Sequence, residues 1–114
     1  MIEIDDEYTY SDDTIDSNRF IELYDYFEET LGQGSQHKQL SSEVHEFNEQ
    51  CILFDHGIGD IKDVIEEMAD VFELMLQHIY KYEITSRELS QAILKKHLRT
   101  EERKRNGYYE RKDK

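Results

Sequence analysis

Two carboxylate couplets, Glu43-x-x-Glu46 and Glu67-x-x-Asp70, stand almost symmetrically about the glycine-marked break His56-Gly57-Ile58-Gly59. Residues three apart share a helix face, so two helices folded back at that break would bring all four carboxylates to one height. Convergent carboxylate oxygens are the material of a magnesium site, and magnesium points to phosphate chemistry. Pairing alone is weak evidence, because 27 Asp and Glu among 114 residues give roughly six acidic i, i+3 pairs by chance. Glu22 with Asp25 and Asp60 with Asp63 are such pairs, so position must carry the argument.

The elements that would position the couplets are helical. The chain has no Pro and only five Gly, at 32, 34, 57, 59 and 107, and more than a third of its residues are charged, which suits a few long amphipathic helices. The expected fold is all-α, a four-helix, bundle-like subunit. Helix 1 is expected from Ser17 to Leu31, capped by Asp16 or Ser17, with Phe20, Leu23, Tyr24, Phe27 and Leu31 at the i, i+3, i+4, i+7, i+11 spacing of one face. Helix 2 is expected over 36–54, with Leu40, Val44, Phe47, Cys51 and Phe54 on one face. Helix 3 is expected over 60–82, where Ile61, Val64, Ile65, Met68, Ala69, Val71, Phe72, Met75, Leu76 and Ile79 form the broad apolar arc of a central helix. Thr85-Ser86-Arg87-Glu88 has the form of a capping box and opens helix 4, with Leu89, Ala92 and Ile93 turned inward. Residues 1–16, seven of them acidic, read as a flexible arm, 17–106 as one helical domain and 107–114 as a charged tail.

Turning about 100° per residue from the centre of each apolar stripe puts Glu43 about 60° and Glu46 about 120° to one side on helix 2. The same construction puts Glu67 about 120° and Asp70 about 180° round on helix 3, in the same sense. Stripe-to-stripe antiparallel packing is a two-fold operation that leaves equivalent shoulders on one side. Counted from Gly57, Glu46 is 11 residues back and Glu67 ten forward, while Glu43 is 14 back and Asp70 13 forward. Glu46 should therefore face Glu67, and Glu43 should face Asp70. Such a group repels itself unless a cation sits within it. Its all-oxygen donor set selects Mg²⁺, with Mn²⁺ as a substitute, rather than zinc.

On helix 4, Lys96, Arg99 and Arg103 fall within about 60° of one another and continue the stripe of Leu89, Ala92 and Ile93, a natural partner for a phosphate chain. Nine of the 14 Lys and Arg lie from Lys95 onward, in a chain whose net charge is -13. That balance repels nucleic acid backbones. The single cysteine excludes an internal disulfide, and no apolar run exceeds the four residues Cys51 to Phe54, so no signal peptide or membrane span is expected and the expected location is cytoplasmic. Cys51 sits in the middle of its stripe and reads as a buried thiol rather than a nucleophile. The five His lack metalloprotease-like spacing and read as surface or cap positions.

The segments SSEVHEFNEQ, DVIEEMADVFELM and KKHLRTEER resemble the MazG-like all-α nucleoside triphosphate pyrophosphohydrolases, whose pattern is E-x-x-E, then E-x-x-D before an apolar run, then a Lys with an Arg seven residues on. The resemblance covers about 36–106. It implies hydrolysis of a (d)NTP between the α and β phosphates, in nucleotide-pool housekeeping, with Glu43, Glu46, Glu67 and Asp70 as catalytic Mg²⁺ ligands. One carboxylate or a metal-bound hydroxide would activate water, and Lys96, Arg99 and Arg103 would bind the phosphates. It further implies a homodimer or homotetramer, often with a site completed across subunits. The aromatic or Asn that holds the base in many members has no counterpart that aligns in the first 36 residues, which leaves Phe20, Tyr24 and Tyr108 as candidates to stack on a base. The alternatives are a non-catalytic nucleotide sensor, an acidic helical protein that occupies a basic partner surface, and the related phosphoribosyl-ATP pyrophosphohydrolase.

Overall fold

The computed structural model describes residues 15–110. The acidic arm, apart from its last two residues, and positions 111–114 of the tail lie outside the described residues. Four helices carry the chain, α1 (Ser17–Leu31), α2 (Ser35–Asp55), α3 (Ile61–Lys81) and α4 (Ser86–Arg105), and no strand occurs among the described residues. The protein is all-α. The expected ends of the first three helices are met to within one residue.

Each helix starts where a side chain answers its free backbone N–H groups. Asp16 accepts from Asn18 N at 3.1 Å, and Asp60 accepts from Lys62 N at 3.0 Å. At α4 the capping box closes in both directions, Glu88 N to Thr85 Oγ1 and Thr85 N to Glu88 Oε1, each at 3.1 Å. α2 has no side-chain cap of its own at Gly34. Glu28 of α1 takes that role, accepting from Gly34 N at 3.0 Å, Gln36 N at 3.1 Å and Ser35 Oγ at 2.8 Å. A carboxylate at a helix N-terminus also meets the positive end of its dipole, and these donors hold the Glu28 carboxyl well below the usual carboxylate range, at about 2.

The α2–α3 hairpin that sets the height of the couplets turns on two glycines. Gly57 adopts a φ of 72°, a left-handed conformation that side chains disfavour. A Cβ on Gly59 would lie 3.1 Å from both Leu53 Cβ and Phe54 N, so the loop lies close against the end of α2 only because Gly59 has no side chain.

The chain forms two compact units, Met1–Tyr82 and Glu83–Lys114. In the first unit α1 lies against α2 and α3, and Phe20, Tyr24, Val64 and Leu74 form its buried apolar core. Phe20 stacks on Tyr80 with ring centroids 5.3 Å apart, and Tyr24 meets Tyr82 edge-on. In the second unit α4 buries no residue. Leu89 is half-buried, and Ala92 and Ile93 are exposed. Leu94 and Leu98 are exposed as well, on a 20-residue helix half of whose residues are charged.

A correction concerns α3. Stripe-to-stripe packing would bury Ile61, Ile65, Met68, Phe72 and Met75, yet all five are exposed. The face turned into the first unit carries Val64, Leu74 and Gln77 instead, with Glu67, Val71 and His78 partly covered. On a helix this broadly apolar, the choice between faces falls to the polar pairs that must be satisfied in the seam.

Candidate metal and phosphate site

The α2–α3 seam has two polar layers. At the end near the α1–α2 turn, Gln36 and Gln77 are each only 3% exposed. Gln36 Nε2 donates to Gln77 Oε1 at 2.5 Å, and Gln77 Nε2 donates to Glu73 Oε2 at 3.1 Å. Beside them His78 Nδ1 donates to Leu74 O at 2.7 Å, which leaves His78 Nε2 to accept from His37 Nδ1 at 3.0 Å. This layer satisfies its buried polar groups.

Two turns further along the seam the carboxylates meet. Glu43 and Glu46 of α2 and Glu67 of α3 each offer an oxygen, all within 4.8 Å of one another. Gln39 Nε2 donates to Glu43 Oε1 at 2.8 Å. Glu43 Oε2 and Glu67 Oε2 are shielded from solvent and have no hydrogen-bond partner. Asp70 stands outside this trio, close enough for its charge to act on Glu67, and with Glu43 it lines one cavity. Desolvation, followed by the charges of Glu46, Glu43 and Asp70, pushes the Glu67 carboxyl up to about 7. Glu43, Glu46 and Glu67 thus meet across the hairpin, while Asp70, expected to face Glu43, stands outside them. The three meet inside the seam rather than on an outer shoulder, because α3 is turned.

An oxygen removed from water without a partner is costly, and two of them among three carboxylates can be relieved by a proton or by a cation. The donor set fits a hard divalent cation, since only carboxylate oxygens converge there. The adjoining cavity holds about 390 Å³ between α1, α2 and α3, with Phe27 and Leu31 on one wall and Gln36, Gln39, Asp70 and Glu73 among its polar groups. That volume falls in the range of small-molecule sites.

Lys96, Arg99 and Arg103 belong to the second unit, where the unbroken α4 carries them on one face. The Arg103 guanidinium lies 4.7 Å from the Tyr108 ring centroid. Of the residues expected to stack on a base, Phe20 and Tyr24 are committed to the core, while Tyr108 is exposed and already pairs with Arg103.

Several contributors escape a reading of the sequence. Cys51 is only half-buried. Glu28 could have been marked by its place just ahead of the Gly32–Gly34 loop, and Gln36 by lying one turn before Leu40 on the helix 2 stripe. Gln77 and the His37–His78 contact join residues 41 apart, and no local pattern reports them. No protein-family model, curated protein or solved structure matches this chain.

Proposed function

We propose that this protein hydrolyses a (d)NTP between its α and β phosphates, giving a nucleoside monophosphate and pyrophosphate, with Mg²⁺ held by Glu43, Glu46, Glu67 and Asp70. The observation that supports this most is the convergence of three carboxylates within 4.8 Å, two of them with shielded and unpartnered oxygens. Bound Mg²⁺, or Mn²⁺ in its place, supplies charge neutralisation at the phosphate oxygens.

The chain's own groups divide the remaining work. One of the four carboxylates accepts the proton of the attacking water, and Asp70 also lines the adjoining cavity. Lys96, Arg99 and Arg103 bind the phosphates and offset the charge that grows on the pyrophosphate leaving group. The cavity takes the nucleoside, with the Phe27 ring as its apolar wall. A homo-oligomer, a role in nucleotide-pool housekeeping and a cytoplasmic location belong to the same proposal. No helix among the described residues is long and apolar enough to cross a membrane.

The test is incubation with a panel of canonical and modified NTPs and dNTPs plus Mg²⁺, with separation of monophosphate, diphosphate, phosphate and pyrophosphate. Monophosphate with pyrophosphate supports the proposal. Diphosphate with phosphate, or no turnover of any member, overturns it and favours a nucleotide sensor, a phosphoribosyl substrate or an acidic binding protein.

A further inference from the structure

Three of the five His make their polar contacts within one turn of their own chain segment. His45 and His97 each pair with a Glu four residues on, and His56 Nδ1 meets Ile52 O at 2.8 Å. The other two face each other across the first unit: His37 in the first turn of α2 and His78 in the last turn of α3 bring Nδ1 and Nε2 to 3.0 Å. Both rings are held from behind. His78 Nδ1 donates to Leu74 O at 2.7 Å, and its ring packs edge-on against Tyr24 of α1, so its Nε2 lone pair is aimed at His37. His37 Nε2 lies 3.4 Å from the Tyr82 hydroxyl. An imidazole that ligates a metal commonly commits its second nitrogen to an oxygen partner of this kind, which fixes its tautomer and its aim.

We infer that His37 Nδ1 and His78 Nε2 form a second metal site, for a transition-metal cation of the Cu²⁺ or Ni²⁺ kind, that clamps the start of α2 to the end of α3. Nitrogens 3.0 Å apart, each about 2.1 Å from an ion, subtend about 90° at it, the cis angle of a tetragonal Cu²⁺ or Ni²⁺ site. A tetrahedral zinc site needs about 3.4 Å between its nitrogens. Imidazole suits these ions where carboxylate suits Mg²⁺, so the His pair and the carboxylate layer select different metals. Without an ion, His37 Nδ1–H fills the gap as a hydrogen bond. On binding, that proton passes to His37 Nε2, where the Tyr82 oxygen accepts it, and both facing lone pairs are freed without net loss of a proton. His37 is exposed, which leaves the remaining coordination positions to water. Glu28 is close enough to interact with the charge of His37 and favours a cation there, while the opposing charge of Lys81 is paired with Asp25 at 2.6 Å. Gln36 and Gln77, the chain neighbours of the two His, line the cavity, so the clamp stiffens one of its walls. It uses none of the carboxylates at 43, 46, 67 and 70 and does not depend on the proposed activity.

Cu²⁺ at about one equivalent, added to the full chain without a histidine tag and with Mg²⁺ present, tests this by pulsed electron paramagnetic resonance, which counts ligated imidazoles through their remote nitrogens. Wild type and Glu67→Gln should both show two. His37→Ala, at an exposed position, should lose the two-imidazole signal and bind Cu²⁺ at least about tenfold more weakly, since even an outer-shell partner is worth 10–100-fold. That variant keeps the test decisive if His78→Gln, expected to behave alike, fails to fold. Ni²⁺ should raise the melting temperature of wild type more than that of His37→Ala. Fewer than two imidazoles in wild type, an unchanged spectrum in His37→Ala, or equal Ni²⁺ shifts in the two would each overturn the inference. Loss of the signal in Glu67→Gln would overturn it by placing the ion in the carboxylate layer.

Discussion

The two polar layers of the α2–α3 seam are built from similar residues and end in opposite states. In the glutamine layer each buried amide has its partner, and Glu73 and Glu28 receive donors that hold their oxygens in place. In the carboxylate layer Glu43, Glu46 and Glu67 converge with two oxygens shielded and unpartnered. A completed network specifies how helices pack, whereas an incomplete one stores electrostatic cost that a ligand can remove. The first layer therefore reads as scaffold and the second as site.

The largest expected effect falls on the carboxylate layer. Glu67→Gln should lower turnover of the preferred triphosphate by at least about 100-fold, since loss of even an outer-shell metal partner costs 10–100-fold. Its helical circular dichroism should be unchanged, and its melting temperature in metal-free buffer should match or exceed the wild type. Full activity in that variant would remove the distinction between the layers. Gln77→Leu should do the reverse, lowering stability by about 1–3 kcal/mol because it leaves the Gln36 amide buried without an acceptor. The double variant Gln36→Leu, Gln77→Leu should recover part of that loss in urea unfolding, and a double-variant loss equal to the sum of the two single losses would show that no coupling exists.

The layers should also respond to pH with opposite signs. Glu67 titrates at about 7 in the folded protein, above the usual 4.5, so the native state binds more protons and stability falls as pH rises from about 4.5 to about 7. Mg²⁺ should flatten that slope, and Glu67→Gln should abolish it. Glu28 titrates at about 2, below its usual 4.5, so its stabilisation is present above 4.5 and is lost as pH falls toward 2. Thermal melts across pH for wild type, Glu67→Gln and Glu28→Gln separate the two contributions, and coincident profiles would break the comparison.

The smallest effect is expected outside the seam. Lys96→Ala should raise the Michaelis constant about tenfold with little change in kcat, the scale of one charge-assisted hydrogen bond. An unchanged value would leave α4 without a part in substrate binding.

Helix existence and ends were legible in the sequence because they depend on groups a few residues apart. Asp16, Asp60 and the Thr85–Glu88 box act locally, and Gly57 with Gly59 marks the hairpin. The approach of the couplets was legible for the same reason, since equal distances from one turn fix their height. The rotation of α3 was not legible. A helix apolar over so wide an arc offers more than one packing face, and the choice was made by Gln77, His78 and Glu67 meeting residues on α2. Nor could periodicity reveal that α4 buries nothing, because three apolar positions in register mark a face without stating what covers it. The amino-acid sequence by itself thus determined four helices and the height at which the carboxylates meet, through capping and 3.6-residue periodicity. Only the tertiary structure decided which side of α3 faces inward, which oxygens lose their water, and that Glu67 titrates near neutrality, because each depends on side chains brought together from distant parts of the chain.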